Sequence, residues 1–304
     1  VGASPPNDVV HLEVLPPRGP SRGVAVFSPF WQVPGTWSLR AYTRQARDLG
    51  LHAVIYTPPE HLRRAPRGHF SGERILCWDF PWMQEMLRTA TAELVSLCRG
   101  LQAPGRPVYL VGLSLGGLFA AMAAVGGAPV SGLALVTPAA DVQVSMGTTR
   151  IGRRYRGMVE RAGVRVPSDE LLTCLAAPYR AETFRPPLEA GRVFLAQGLH
   201  DAIVPWSVAS RLAERWEVPL RTYASGHMSL LFLQPRLLRD LRGFLRARVE
   251  LDAPAGPPRG MAPRAWSRPG RAARVAVARL GRVAAGGQGR NTTVGRLRRG
   301  ADPG

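Results

Sequence analysis

The chain has 304 residues and a formal net charge of +19, and each of its 40 basic side chains is Arg. With 45 % hydrophobic residues it can bury an enzyme-sized core, which excludes a wholly disordered chain. The absence of Lys beside abundant Ala, Gly and Pro is a bias expected of a GC-rich coding sequence, so charge by itself does not define a nucleic-acid binder. No run approaches the roughly 18 apolar residues of a membrane span, and Val1 to Asp8 carry neither the basic nor the apolar part of a secretion signal. Cys77, Cys98 and Cys174 have no paired or metal-type spacing, which argues against a disulfide framework and a structural zinc site. A cytoplasmic protein is expected.

In chain order, residues 9–15 and 23–27 read as strands, separated by the turn Pro16-Pro17-Arg18-Gly19-Pro20. A loop rich in Pro and aromatic rings, Ser28 to Gly35, precedes a helix over 36–49. Strand 51–57 stops at Pro58-Pro59, and a basic irregular insert spans 60–78. A long amphipathic helix over about 79–99 leads to strand 107–112, a helix ending near Val125, and strand 130–137. The alternation then breaks over 142–190, read as a cap inserted over the sheet. It resumes with strand 193–197, a helix over 205–216, strand 219–223 and a helix over 229–250. Strands alternating with helices imply a doubly wound, mostly parallel α/β sheet whose ligands bind at the carboxyl ends of its strands. Residues 253–304 change character, with 11 Arg against the single acid Asp302; they are expected to form a disordered basic tail. That tail is either a plain extension or an electrostatic hold on nucleic acid or anionic lipid. Asn291-Thr-Thr within it matches a glycosylation acceptor and is taken as chance.

The informative stretch is Val108-Tyr-Leu-Val-Gly-Leu-Ser114-Leu-Gly-Gly117 followed by an Ala-rich run. A Gly-x-Ser-x-Gly between a strand and a helix is a nucleophile elbow: the serine sits on a sharp, strained turn, and only small residues fit two before and two after it. Serine is a poor nucleophile at neutral pH and needs a base, which needs an acid to hold its tautomer. Gln197-Gly-Leu-His-Asp201-Ala-Ile-Val-Pro205 places an acid just past a strand, and Ala224-Ser-Gly-His227 places a histidine just past the last one. Asp141, after the preceding strand, is the substitute acid. His200 is expected to be structural. His61 and His69 lack partners at ligand spacing, so neither a metal nor a cofactor is expected.

With Ser114, Asp201 and His227 in that order, residues 9–250 resemble the α/β-hydrolase superfamily in its serine-nucleophile, esterase- and lipase-like branch. The resemblance implies that Ser114 is the nucleophile, His227 the general base and then acid, and Asp201 its orienting partner. It also implies an oxyanion hole built from the backbone N–H of Leu115 and one from the loop after the second strand. Where many members carry His-Gly in that loop, this chain has Ser28-Pro29; proline offers no N–H, so Phe30 is the expected second donor.

The expected reaction is hydrolysis of a carboxylic ester through an acyl-enzyme, with thioesters, lactones, amides and acyl transfer within reach of the same triad. The rival reading is a basic binding protein on a hydrolase scaffold. Phe30, Trp31, Trp78 and Trp82 border the cleft and either line an apolar acyl pocket or serve as ordinary core rings. Arg150, Arg153, Arg154, Arg156, Arg161 and Arg165 in the cap, with Arg63, Arg64 and Arg67 in the insert, are expected to form a positive rim that draws in an anionic or lipid-like substrate or touches a membrane surface. No nucleic-acid partner is expected of the core domain, and the oligomeric state is left open.

Overall fold

The computed structural model describes residues 7–76, 79–161, 163, 165–166, 168, 177, 180–253 and 276–278. Its strands are β1 (Val10–Leu15), β2 (Gly23–Ser28), β3 (Leu51–Tyr56), β4 (Val108–Leu113), β5 (Gly132–Val136), β6 (Val193–Gly198), β7 (Leu220–Tyr223) and β8 (Ala276–Ala278). They form one sheet in the order β7-β6-β5-β4-β2-β3-β1-β8. β2 through β7 pair in parallel, while β1 lies antiparallel to β3 and to β8. Every residue of β2, β3, β4, β5 and β6 is buried. That suits their near-continuous apolar sequences, because crossover helices cover both faces of a parallel sheet.

The helices are α1 (Arg40–Asp48), α2 (Phe80–Leu101), α3 (Leu115–Val125), α4 (Arg150–Arg161), α5 (Trp206–Trp216), α6 (His227–Leu233) and α7 (Pro235–Leu251). One core packs α2, α3 and α5 on the sheet through Leu94, Phe119 and Leu212. The other packs α1, α6 and α7 on the opposite face through Tyr42, Leu231 and Leu241. α2 starts where its sequence signals a start: Asp79 accepts from the Trp82 N–H at 3.1 Å, and Pro81 sits in the first turn. The single helix expected over 229–250 is two. Pro235 has no N–H to continue the ladder, and it suits the first position of a new helix, so the chain breaks at Gln234.

The excursion after β5 leaves and returns through a narrow neck, where the Ala181 N–H donates to the Ala140 carbonyl at 3.1 Å. Asp141 in that neck is buried and accepts from Arg211 of α5 at 3.1 Å, and Arg211 also meets Glu182 at 3.3 Å. Most of 162–179 in the expected cap lies outside the described residues, as does the basic tail except Ala253 and β8.

The insert after β3 corrects one expectation. Arg64 does not belong to a positive rim: it is fully buried and holds Glu93 of α2 through two 2.7 Å hydrogen bonds. It also donates to the Thr57 and Asn7 carbonyls at 3.0 and 2.9 Å, while Glu93 accepts from the Tyr56 hydroxyl at 2.5 Å. A planar guanidinium with five donors suits such a site, where a carboxylate and two carbonyls converge. His61 is buried beside it and donates through Nδ1 to the Pro59 carbonyl at 2.8 Å. Arg63 and Arg67 remain exposed, as do Arg150, Arg153, Arg154, Arg161 and Arg165. Arg156 pairs with Glu160 at 3.2 Å. Among the described residues, no helix is long and apolar enough to cross a membrane.

Candidate active site

Parallel pairing aligns the carboxyl ends of four strands: Leu113 of β4 faces Val136 of β5, Val136 faces Ala196 of β6, and Gly198 of β6 faces Tyr223 of β7. The next residues on each strand therefore emerge at one edge of the sheet. Ser114 follows β4 directly, Thr137 follows β5, Asp201 lies three past β6 and His227 four past β7.

Ser114 adopts φ 52° and ψ −116°, a strained conformation for a non-glycine residue. It is held there by its own N–H to the Val136 carbonyl at 3.0 Å and by its carbonyl, which accepts from Gly117 at 2.8 Å and Ala139 at 3.0 Å. The glycines of the motif are small for reasons visible in the packing. A Cβ on Gly112 would lie 2.5 Å from the Gly116 carbonyl oxygen, and one on Gly116 would lie 2.2 Å from the Ser28 oxygen and 2.3 Å from the Pro29 oxygen. Gly198 is similar, with the Ser225 oxygen 2.4 Å from where its Cβ would stand; this lets the acid-bearing and histidine-bearing loops touch.

The three polar side chains meet. His227 Nε2 is 3.0 Å from Ser114 Oγ, and His227 Nδ1 is 2.7 Å from Asp201 Oδ2. All three residues are buried. Asp201 Oδ1 accepts from the backbone N–H of Ile203 at 2.9 Å and of Val204 at 2.8 Å, the local turn that an Asp at this position makes with residues two and three ahead. Oδ2 also accepts from Gln197 Nε2 at 3.2 Å and from the Thr137 hydroxyl. Burial works to raise the Asp201 pKa. The hydrogen bond and charge of His227, followed by the bonds from Thr137 and Val204, outweigh it and hold the carboxyl below its ordinary value. Asp141, occupied by Arg211, is not the acid that reaches the imidazole.

His227 is the first residue of α6. The Gly226 N–H donates to Ser229 Oγ at 2.9 Å, and Leu230 and Leu231 bury the helix beneath the ring. The other end of α6 carries Phe232, whose ring meets that of Phe30 edge-on, with 5.3 Å between centroids. The same short helix thus sets the histidine and anchors the loop that bears Phe30. Leu115 opens α3, where the first N–H groups have no intrahelical acceptor, and among the described residues neither its N–H nor that of Phe30 has a backbone acceptor.

Trp31 and Trp82 are half-buried and pack on one apolar cluster with Leu115, Ile75 and Leu76. The Trp31 indole donates to the Gly72 carbonyl at 2.7 Å, and the Arg74 guanidinium lies 4.8 Å from the Trp82 ring centroid. Trp78 lies outside the described residues. His200 is exposed and held by its N–H to the Ser225 carbonyl at 3.1 Å. Among the described residues no three His, Cys, Asp or Glu side chains gather as a metal site would require.

The residue that sequence reasoning missed is Thr137. A lone threonine closing a strand carries no local signal, because its partners Asp201 and His227 are 64 and 90 residues away.

A parallel sheet covered on both faces, a strained serine turn after β4, and an acid and a histidine after β6 and β7 define the α/β-hydrolase fold. Solved structures of that fold superpose on most of the chain. A Thermus thermophilus protein, TT1662, matches with TM-score 0.56 and 18 % identity over 79 % of this chain and 93 % of its own. The mouse alpha/beta hydrolase domain-containing protein 10 matches with TM-score 0.54 and 17 % identity, over 80 % and 94 %. A Paleococcus ferrophilus monoacylglycerol lipase matches with TM-score 0.50 and 18 % identity, over 80 % and 99 %. No protein-family model and no curated protein sequence matches the chain.

Proposed function

We propose that the protein is a serine hydrolase that cleaves a carboxylic ester, thioester or lactone through an acyl-enzyme intermediate. The observation that supports this most directly is the unbroken relay from Ser114 Oγ through His227 to Asp201, at 3.0 and 2.7 Å. His227 Nε2 takes the Ser114 proton as Oγ attacks the acyl carbonyl, and Asp201, ionised throughout, stabilises the imidazolium without taking its proton. The oxyanion of the tetrahedral intermediate accepts from the N–H groups of Leu115 and Phe30. His227 then returns the proton to the leaving group, and a water repeats the sequence to release the acid. The lipase among the superposed structures adds support for ester chemistry in this fold. Exposed Arg63, Arg67, Arg153 and Arg154 favour an anionic acyl substrate.

The test is hydrolysis of p-nitrophenyl esters of graded acyl length by the wild type and Ser114→Ala. A burst followed by turnover in the wild type, with both lost in the variant and the fold retained, is expected. The chain-length optimum sizes the acyl pocket, and a KM that rises with ionic strength identifies an anionic acyl group. Equal rates for the two proteins overturn the proposal.

A further inference from the structure

We propose that Thr137 is a positioning residue of the catalytic relay, holding the Asp201 carboxylate and the His227 ring in a common plane. This inference rests on the serine-hydrolase reading above. Three observations carry it, and none follows from the role of a strand-end residue.

First, the Thr137 hydroxyl donates to Asp201 Oδ2, the oxygen that faces His227 Nδ1, and its own oxygen lies 3.3 Å from that nitrogen. The three polar atoms form a closed triangle. Oδ1 is already fixed by two backbone N–H groups. The other donors to Oδ2 are the imidazole, which moves protons during the reaction, and Gln197 at 3.2 Å. A hydroxyl there keeps the carboxylate from turning when the imidazole charge changes, and it gives the Nδ1 proton a second acceptor alongside Asp201.

Second, Thr137 has φ 43°. A β-branched residue in this region is a genuine outlier that the surrounding structure must hold in place. The conformation is over-determined: the Thr137 N–H donates to the Ala196 carbonyl at 2.7 Å, and the preceding carbonyl, of Val136, accepts from Ser114 at 3.0 Å. The turn that aims Ser114 and the turn that aims Thr137 are therefore joined by a hydrogen bond.

Third, Thr137 is fully buried. Valine would fill the same volume without a polar atom, and glycine would relieve the backbone. A threonine at this φ in a closed site satisfies neither economy of packing nor of backbone; it supplies the hydroxyl.

The test uses the full chain with Thr137→Val, Thr137→Ser and Thr137→Ala beside the wild type and Ser114→Ala. Diisopropyl fluorophosphate, which phosphorylates an activated serine without needing the natural substrate, measures the relay; p-nitrophenyl acetate gives kcat and KM. In Thr137→Val the labelling rate and kcat fall about 10- to 100-fold, the worth of one hydrogen bond to a charged group, with KM unchanged. Thr137→Ser restores both to within about threefold. The downfield Nδ1 proton resonance of His227 moves in the Val variant and returns in the Ser variant, which loss of packing alone would not produce. Should the Val variant fail to fold, Thr137→Ala against Thr137→Ser makes the same comparison with less bulk. Equal, slow labelling of wild type and Ser114→Ala overturns the relay itself. Wild-type labelling that persists undiminished in a folded Thr137→Val or Thr137→Ala overturns the role of Thr137 alone.

Discussion

Removing Glu93 while leaving Arg64 in place is expected to be among the most damaging single changes distant from the active site. Arg64 is fully buried and makes two 2.7 Å bonds to Glu93, and among the described residues its further acceptors are the Thr57 and Asn7 carbonyls. Among the same residues its Nε has no partner. Glu93→Leu leaves this cation without its counter-charge and strips the Tyr56 hydroxyl of its acceptor. Breaking a buried pair from one side costs about 3–5 kcal/mol, and Arg64→Met, which strands the carboxylate, falls in the same range. In Arg64→Met/Glu93→Leu both charges are gone, and what remains is neutral groups left without their partners, the Tyr56 hydroxyl and the Thr57 and Asn7 carbonyls, each costing less than a stranded charge. The double variant therefore costs far less than the two singles together. Urea unfolding of the four proteins, followed by tryptophan fluorescence with the slope m held common, reads the cycle directly. Singles costing less than about 1 kcal/mol, or a double equal to their sum, would refute the argument that charge burial dominates here. The loss also reaches the site. The Gly72 carbonyl in this insert holds the Trp31 indole, next to Phe30, so Glu93→Leu also lowers ester turnover.

Two further outcomes follow from burial and close approach. Burial, opposed by the hydrogen bond with the Pro59 carbonyl and aided by the Arg64 charge, pushes His61 down from 6.5 to about 4. The folded state thus refuses a proton that the unfolded chain accepts. Stability is unaffected above about pH 6.5 and falls as pH drops from there to about 4, by about 3 kcal/mol. A pH series of urea midpoints should fall less steeply in His61→Gln than in the wild type. The lowered pKa values of His11 and His52 add slope to both proteins; parallel curves would sink the idea. Gly116→Ala drives a methyl group into the Ser28 and Pro29 carbonyl oxygens, both backbone atoms that can move only with the Phe30 loop. Turnover of p-nitrophenyl esters should fall about 10²–10³-fold, as when one oxyanion donor is lost, while circular dichroism stays native; undiminished turnover would contradict the assigned hole.

Much of the sheet, and the meeting of the Ser114, His227 and Asp201 side chains, could be read from sequence because each depends on short-range chemistry. Gly112 and Gly116 answer steric limits within a few residues of Ser114. Asp201 bonds the N–H groups of its own turn, and strands β2 to β6 are apolar throughout because both faces are covered. The misreadings share a different cause. Arg64 looks like one more surface guanidinium until Glu93, 29 residues on, is turned toward it by the packing of α2. Thr137 owes its backbone to Ala196 of β6 and its hydroxyl's setting to Asp201 and His227, all distant in sequence. The break at Pro235 was present in the sequence as a helix signal, and periodicity across it concealed the join.

The neck at Ala140 and Ala181 has a consequence for how such a chain can change. Because the Ala181–Ala140 hydrogen bond and the Arg180 contacts with Gln143 and Asp141 tie departure to return, and the Asp141–Arg211–Glu182 staple secures their base, the length between them is free to vary. Loop closure grows only logarithmically with length, by about 0.6 kcal/mol per doubling. Lineages, or engineers, could exchange that segment as a cartridge while the sheet and the helices packed on it keep their arrangement.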